Sequence, residues 1–262
     1  MQWNPEGYAK SSSAQLKWAQ ELRSHLNLQG HESILDLGCG DGKITADFAR
    51  SLPNGWVTGV DNSAPMIAYA QRTYSKTEYP NLTFVEMDAR ALNFTPAFDL
   101  VFSNAVLHWV DDHQAVLRGV AQALKSGRSL VISCGGSGNA ADILQTFAEL
   151  AETASWKQYF GTFENPYHFC GTQNYETWLQ AAGFAIDRLE LVPKDMTHDG
   201  ADGLAAWIRT TWMPITHQVP ETHREQLIAD FVAIYLQRFP IDAQGHTHVR
   251  MVRLEVEARK TP

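Results

Sequence analysis

Apolar and polar positions along the first half of the chain follow two rhythms in turn. Short, nearly continuous apolar runs occur at 33–37 (SILDL), 56–60 (WVTGV), 82–87 (LTFVEM), 98–106 (FDLVFSNAV) and 128–133 (RSLVIS). Each gives way to small or acidic residues, as expected of buried strands ending in loops. Between them, 43–52 (KITADFARSL), 64–75 (APMIAYAQRTYS) and 113–127 (HQAVLRGVAQALKSG) repeat their apolar residues every three to four positions and predict helices. Pro65 suits a first helical turn, and Gly127 predicts the end of the third helix. An amphipathic segment at 11–26, with Leu16, Ala19, Leu22 and Leu26 on one side, predicts a helix ahead of the first strand.

The second half is less regular. The pattern predicts a helix over 139–154, an aromatic-rich stretch from Trp156 to Phe169, a helix over 174–183 ending at Gly183, and a strand over 185–192. Residues 195–239 read as helical or looped, and 249–258 alternates like a last strand. Alternating strands and helices imply an α/β fold with a parallel sheet and right-handed crossovers. Ligands of such sheets bind beyond the carboxyl ends of the strands. The expectation is a single domain over 1–262, with an N-terminal helical lid at 1–30 and a helical cap inserted at 195–240.

The carboxyl ends carry the chemistry. Asp36 precedes three glycines, Gly38, Gly40 and Gly42, in the segment ILDLGCGDG. A carboxylate there repels a pyrophosphate and attracts an ammonium group. That argues for a cationic, phosphate-free cofactor such as S-adenosylmethionine and against a nicotinamide dinucleotide, whose GxGxxG phase is also missing. Asp61 follows the second strand, where an acid can hold ribose hydroxyls. Asp88, with Ala89, follows the third strand and suits an adenine amino group; Ser103 and Asn104 follow the fourth. Any one of these is weak evidence, but their order along the strands is consistent.

Lys and Arg total 21 against 29 Asp and Glu, a formal net charge of −8. Such a surface does not favour nucleic acid, and a small-molecule substrate is expected. Cys39, Cys134 and Cys170 lack metal or disulfide spacing. His246 and His248 could share a strand face but lack a clear third ligand, so no metal site is expected. No signal peptide or membrane-spanning run is evident. The expectation is a cytoplasmic protein, monomeric or weakly oligomeric.

These residues resemble the class I methyltransferases, and beyond the cofactor loop they resemble the trans-aconitate 2-methyltransferase family. The further likeness lies in WNPEGY (3–8), SNAVLHWV (103–110), WIRTT (207–211) and MVRLEVEARK (251–260). His108 departs from the Gln frequent in that family. The resemblance implies a Rossmann-like fold with a mostly parallel seven-stranded sheet, and methyl transfer that converts S-adenosylmethionine to S-adenosylhomocysteine. It implies cofactor contacts from Trp3, Tyr8, Asp36, Gly38, Cys39, Gly40, Asp61, Asn62, Met66, Asp88, Ala89, Ser103 and Asn104. Tyr8 and Trp109 would wall the reaction centre, and His108, Trp109, Trp207 and Arg209 would meet the acceptor.

Two acceptor chemistries remain open at this point. A carboxylate is ionised at neutral pH and needs only a cation to orient it, for which Arg209 is the candidate. A neutral hydroxyl or amine needs a base, for which His108 is the candidate. The resemblance favours the carboxylate. A nicotinamide-dependent oxidoreductase and a non-catalytic cofactor-binding protein are the readings from other classes.

Overall fold

A computed structural model describes residues 13–262, with side chains from Lys17 onward. In chain order the elements are α1 (Ser13–Ser24), β1 (Ser33–Leu37), α2 (Lys43–Ser51), β2 (Trp56–Asp61), α3 (Ala64–Thr73), β3 (Leu82–Glu86), β4 (Phe98–Asn104), α4 (His113–Ala123) and β5 (Leu124–Gly135). They continue with α5 (Ala141–Ala151), α6 (Lys157–Phe160), α7 (Thr172–Ala181), β6 (Phe184–Asp199), α8 (Gly200–Thr211), α9 (Met213–Thr216), α10 (Glu221–Arg238) and β7 (His246–Lys260). No described helix is long and apolar enough to cross a membrane.

The seven strands lie in the order β3-β2-β1-β4-β5-β7-β6. The first five are parallel, and β7 runs antiparallel to β5. The order reverses between β1 and β4, so the loops after these two strands flank the switch point where ligands of open α/β sheets bind. Strand pleating divides the core between two faces. Leu35 and Leu37 join Val101, Val116, Val120 and Tyr175 on one face; Ile34 joins Phe48, Phe102, Ala19 and Leu22 on the other. The described part of the expected N-terminal lid thus packs through α1 into the core beneath α2, where Arg23 also pairs with Asp47 at 2.8 Å.

The helix expected to end at Gly127 stops four residues earlier. Leu124 turns extended and pairs with Phe98, and the register then shifts before Leu100 meets Ser129. Gly127, at φ 74°, lies in this excursion, where Lys125 and Arg128 both pair with Asp99. A buried leucine paired with Phe98 on β4 outweighs the helical pattern continuing through it. Strands β6 and β7 extend beyond their expected bounds at both ends.

Two compact units divide the chain. The sheet unit comprises residues 13–137, His168–Val192 and Arg253–Pro262; the helical unit comprises Gly138–Tyr167 and Pro193–Val252. The helical unit is therefore wider than the expected cap at 195–240, because α5 and α6 join it. Its interior stacks Phe147 on Phe231 at 4.1 Å, with Leu204, Ile208, Leu227 and Tyr235 fully buried.

Candidate cofactor and acceptor site

Asp36 shares a pleat face with Ile34, so its carboxylate enters the core rather than solvent and is only 3% exposed. Thr45 in the first turn of α2 donates its hydroxyl to Asp36 Oδ2 at 2.7 Å. Burial pushes the Asp36 pKa up to about 7; the Thr45 bond opposes the rise, and Asp61 and Asp41 add to it.

The chain leaves β1 through Gly38 at φ 76°. A Cβ there would lie 2.2 Å from the Val106 side chain, so this glycine admits the turn after β4 to close contact with the loop after β1. Gly38 and Cys39 donate their N–H groups to Val60 O at 2.7 and 2.9 Å. Gly40 N–H donates to Asp61 Oδ2 at 3.0 Å, and Ser63 N–H donates to Asp61 Oδ1 at 2.8 Å. Asp61 thereby ties the glycine loop to the end of β2, and burial raises its pKa.

The other expected cofactor residues are placed variously. Cys39 and Met66 are buried, and Asn62 is exposed. The Asp88 carboxylate caps the short turn Ala89–Ala91 and receives Arg90 Nη2 at 2.7 Å, which holds its pKa low. Ser103 is fully buried, with its hydroxyl donated to Leu37 O at 2.9 Å, so it pins β4 to β1. Asn104 presents Oδ1 to Arg253 Nη2 at 3.2 Å.

Immediately after β4, Ala105 adopts φ 61°, a conformation that L side chains disfavour, with its N–H donated to Ser133 O at 2.8 Å. The strained turn leads into Leu107–Trp109, which carries His108 and Trp109. His108 Nδ1 accepts the Gly135 N–H at 3.2 Å, and its ring lies 5.5 Å from Trp109 and 6.0 Å from Phe169. Burial, with Arg253 and His113 adding positive charge nearby, brings its pKa down to about 3. The imidazole is therefore neutral, and an Nδ1 that accepts leaves the proton on Nε2.

Sequence reasoning passed over Arg253. Only 3% exposed, it donates from Nε to Ser133 Oγ at 3.2 Å and from Nη2 to Ser133 O at 2.6 Å, and its guanidinium lies 5.4 Å from the Trp18 ring centroid. The available signal was an arginine in two-residue phase with the apolar Val249 and Met251 on an alternating strand.

Trp207 and Arg209 belong to the helical unit. Trp207 is buried, whereas Arg209 is exposed and clasps Glu225 through Nε at 2.7 Å and Nη2 at 2.6 Å. An acceptor could take that edge of Arg209 only by displacing Glu225. Trp3 and Tyr8 lie outside the described residues.

A family profile described as a methyltransferase domain matches residues 34–127, the segment from β1 into β5. Trans-aconitate 2-methyltransferases from Methylobacterium nodulans and Escherichia coli O7:K1 are each 27% identical to the chain, covering 99% of it and 98% of their own length. A phosphoethanolamine N-methyltransferase 2 of Haemonchus contortus, solved with S-adenosyl-L-methionine, shares the fold. Its TM-score is 0.63 at 20% identity, over 98% of this chain and 57% of that one. The chain is a class I S-adenosylmethionine-dependent methyltransferase.

The residues of the methyltransferase fit its cofactor. Three carboxylates, Asp36, Asp41 and Asp61, interact around the glycine loop, and Asp36 is ionised there only against its own burial. An ammonium group relieves that cost; a pyrophosphate would aggravate it. The likeness to the trans-aconitate 2-methyltransferases extends along the whole methyltransferase chain, not only the cofactor segment.

Proposed function

We propose that this methyltransferase esterifies a carboxylate of a small organic acid. The observation that carries the reading is the hydrogen bond from Gly135 N–H to His108 Nδ1 at 3.2 Å. The one lone pair with which a neutral imidazole could take a proton is held on the backbone, and the other nitrogen is a donor. A site arranged in this way suits an acceptor that is already ionised. A neutral hydroxyl would need His108 to release Gly135 first. The name borne by the curated relatives, trans-aconitate 2-methyltransferase, supports an acid as acceptor.

Under this reading Asp36 receives the ammonium group of the cofactor, and Asp61 holds the ribose while fixing the Gly40 backbone. Asp88, Ala89, Asn62 and Met66 contribute the adenine side. Arg253 supplies the positive charge that orients the acceptor, since it lies buried beside Asn104 and its field reaches His108. His108 offers Nε2–H to an acceptor oxygen, and Trp109 walls the centre against water. Bound S-adenosylmethionine supplies an electrophilic methyl carbon on a sulfonium. Alignment of acceptor and donor alone contributes about 7–11 kcal/mol in favourable cases.

The test is product analysis by mass spectrometry after incubation with S-adenosylmethionine and either trans-aconitate or its triamide. Methyl ester from the acid and nothing from the amide is expected. Methylation of phenols or amines with no ester from a panel of di- and tricarboxylic acids would overturn the reading.

A further inference from the structure

Two backbone N–H groups hold His108 in the sheet unit: Gly135 donates to its Nδ1 at 3.2 Å, and His168 donates to its carbonyl oxygen at 2.8 Å. A further support is His113, which opens α4 shortly after the turn that carries His108 and Trp109. The backbone carbonyls of Leu107 and Val110, at either end of that turn, lie against the buried His113 ring and oppose the fall that burial imposes on its pKa.

Tyr175 joins these supports. It stands on α7, fully buried, and shares a hydrogen bond of 2.7 Å with His113 Nδ1; the two rings meet edge to face with centroids 5.5 Å apart. The same hydroxyl meets the thiol of Cys134, the residue before Gly135 on β5. One buried oxygen therefore connects the strand that fixes His108 Nδ1 with the histidine that braces the His108 turn. Packing alone asks only for a ring here, since Trp178 lies 5.7 Å from both the His113 and Tyr175 rings. A phenylalanine would fill that space with no hydration to forfeit. What the hydroxyl adds is direction.

We propose that Tyr175 is a positioning residue for methyl transfer: through His113 on one side and Cys134 on the other, its hydroxyl fixes the orientation of His108 and Trp109 toward the acceptor. Cofactor binding does not depend on it. The role presupposes that these two side chains face the acceptor, as in the proposed function. Misplacement of about 1 Å caused away from the reacting atoms can cost about a hundredfold in rate.

Tyr175→Phe keeps the ring and removes only the hydroxyl. With trans-aconitate as acceptor, kcat should fall about tenfold, while S-adenosylhomocysteine affinity stays within about twofold. His113→Ala should lose as much, and the two changes together should lose no more than either alone. His113→Asn, which keeps a polar partner for the hydroxyl, should recover most of the loss. In protein labelled with nitrogen-15 at histidine, with His108→Gln assigning the resonances, Tyr175→Phe should move the His108 ring signals. Native kcat with unmoved His108 signals would overturn the role. So would losses that multiply in the double variant, or a loss shared equally by cofactor affinity. A native enzyme that forms no ester from trans-aconitate counts against the acceptor reading alone, and the His108 signals then decide whether Tyr175 holds the turn.

Discussion

Thr45 donates its hydroxyl to Asp36 across 2.7 Å, one turn into the helix that follows the glycine loop. That single bond does not offset burial, and the carboxyl remains lifted to about 7. An acid raised in this way is bound to its proton more tightly in the folded than in the unfolded chain. Its contribution to stability is complete at pH below the unfolded value near 4 and is lost as the pH rises through about 7. The folded protein without cofactor therefore carries a destabilising charge at alkaline pH.

Asp36→Asn should accordingly stabilise the cofactor-free protein at pH 8, with a gain in Tm of about 2–4 °C for each kcal/mol relieved. The gain should fade as the pH approaches about 4, where the native acid is already neutral. The same variant should lose S-adenosylhomocysteine binding by about a hundredfold or more, the scale of a charge-assisted contact. Scanning calorimetry and titration calorimetry measure the two effects; a variant that is less stable at pH 8 would contradict the assignment.

Cofactor affinity should depend on pH in the same window. Below about 7 the Asp36 carboxyl must give up a proton before it can meet an ammonium group, so affinity should fall about tenfold per pH unit there. Titrations in buffers of different ionisation enthalpy should show proton release at pH 6 and little at pH 8.5. A dissociation constant that is flat across this range would remove Asp36 from the cofactor contact.

His108→Gln retains a donor and removes any base. With an ester-forming reaction, its kcat/KM should stay within about threefold of the native value and its pH profile should keep its shape. His108→Ala, which removes the donor, should lose about tenfold. Steady-state assays from mildly acidic to alkaline pH decide the matter; a loss in His108→Gln that grows as the pH falls would restore a base.

Arg253→Lys keeps the charge and loses the planar fork. KM for the acid should rise about tenfold to a hundredfold, while S-adenosylhomocysteine affinity stays within about twofold. Arg209→Ala should leave KM nearly unchanged, since its guanidinium edge is paired with Glu225. The reverse ranking, measured by initial rates, would return the orienting role to Arg209.

A surface cluster in the helical unit should also respond to pH, with losses on both sides of its optimum. His248 bridges Asp195 at 2.6 Å and Asp242 at 3.0 Å, which raises its pKa, and hydrogen bonds from His246 N–H and His248 bring Asp242 down to about 2. The bridge is at full strength between the unfolded aspartate value near 4 and the unfolded histidine value near 6.5. It is lost as the pH rises through the elevated His248 value, and lost again as the pH falls toward about 2. His248→Gln should lower Tm at pH 5–6 and make little difference at pH 9. An NMR titration of His248 with a midpoint below about 6.5 would contradict the bridge.

The sequence by itself determined the alternation of strands and helices and the glycine loop with its acid. These are local properties: side-chain period, turn chemistry and the charge of a residue within a few positions of a strand end. The long apolar strands and the acidic loop leave few folds and few cofactors to consider. What the tertiary structure decided is pairing between distant positions. Arg253 meets Asn104 across 149 residues of chain, His108 finds Gly135 across 27, and Arg209 is taken up by Glu225 on another helix. Whether a histidine donates or accepts, and whether an arginine is buried or clasped, depends on which atoms arrive beside it after folding. A linear pattern records a side chain's chemistry but not its eventual neighbours.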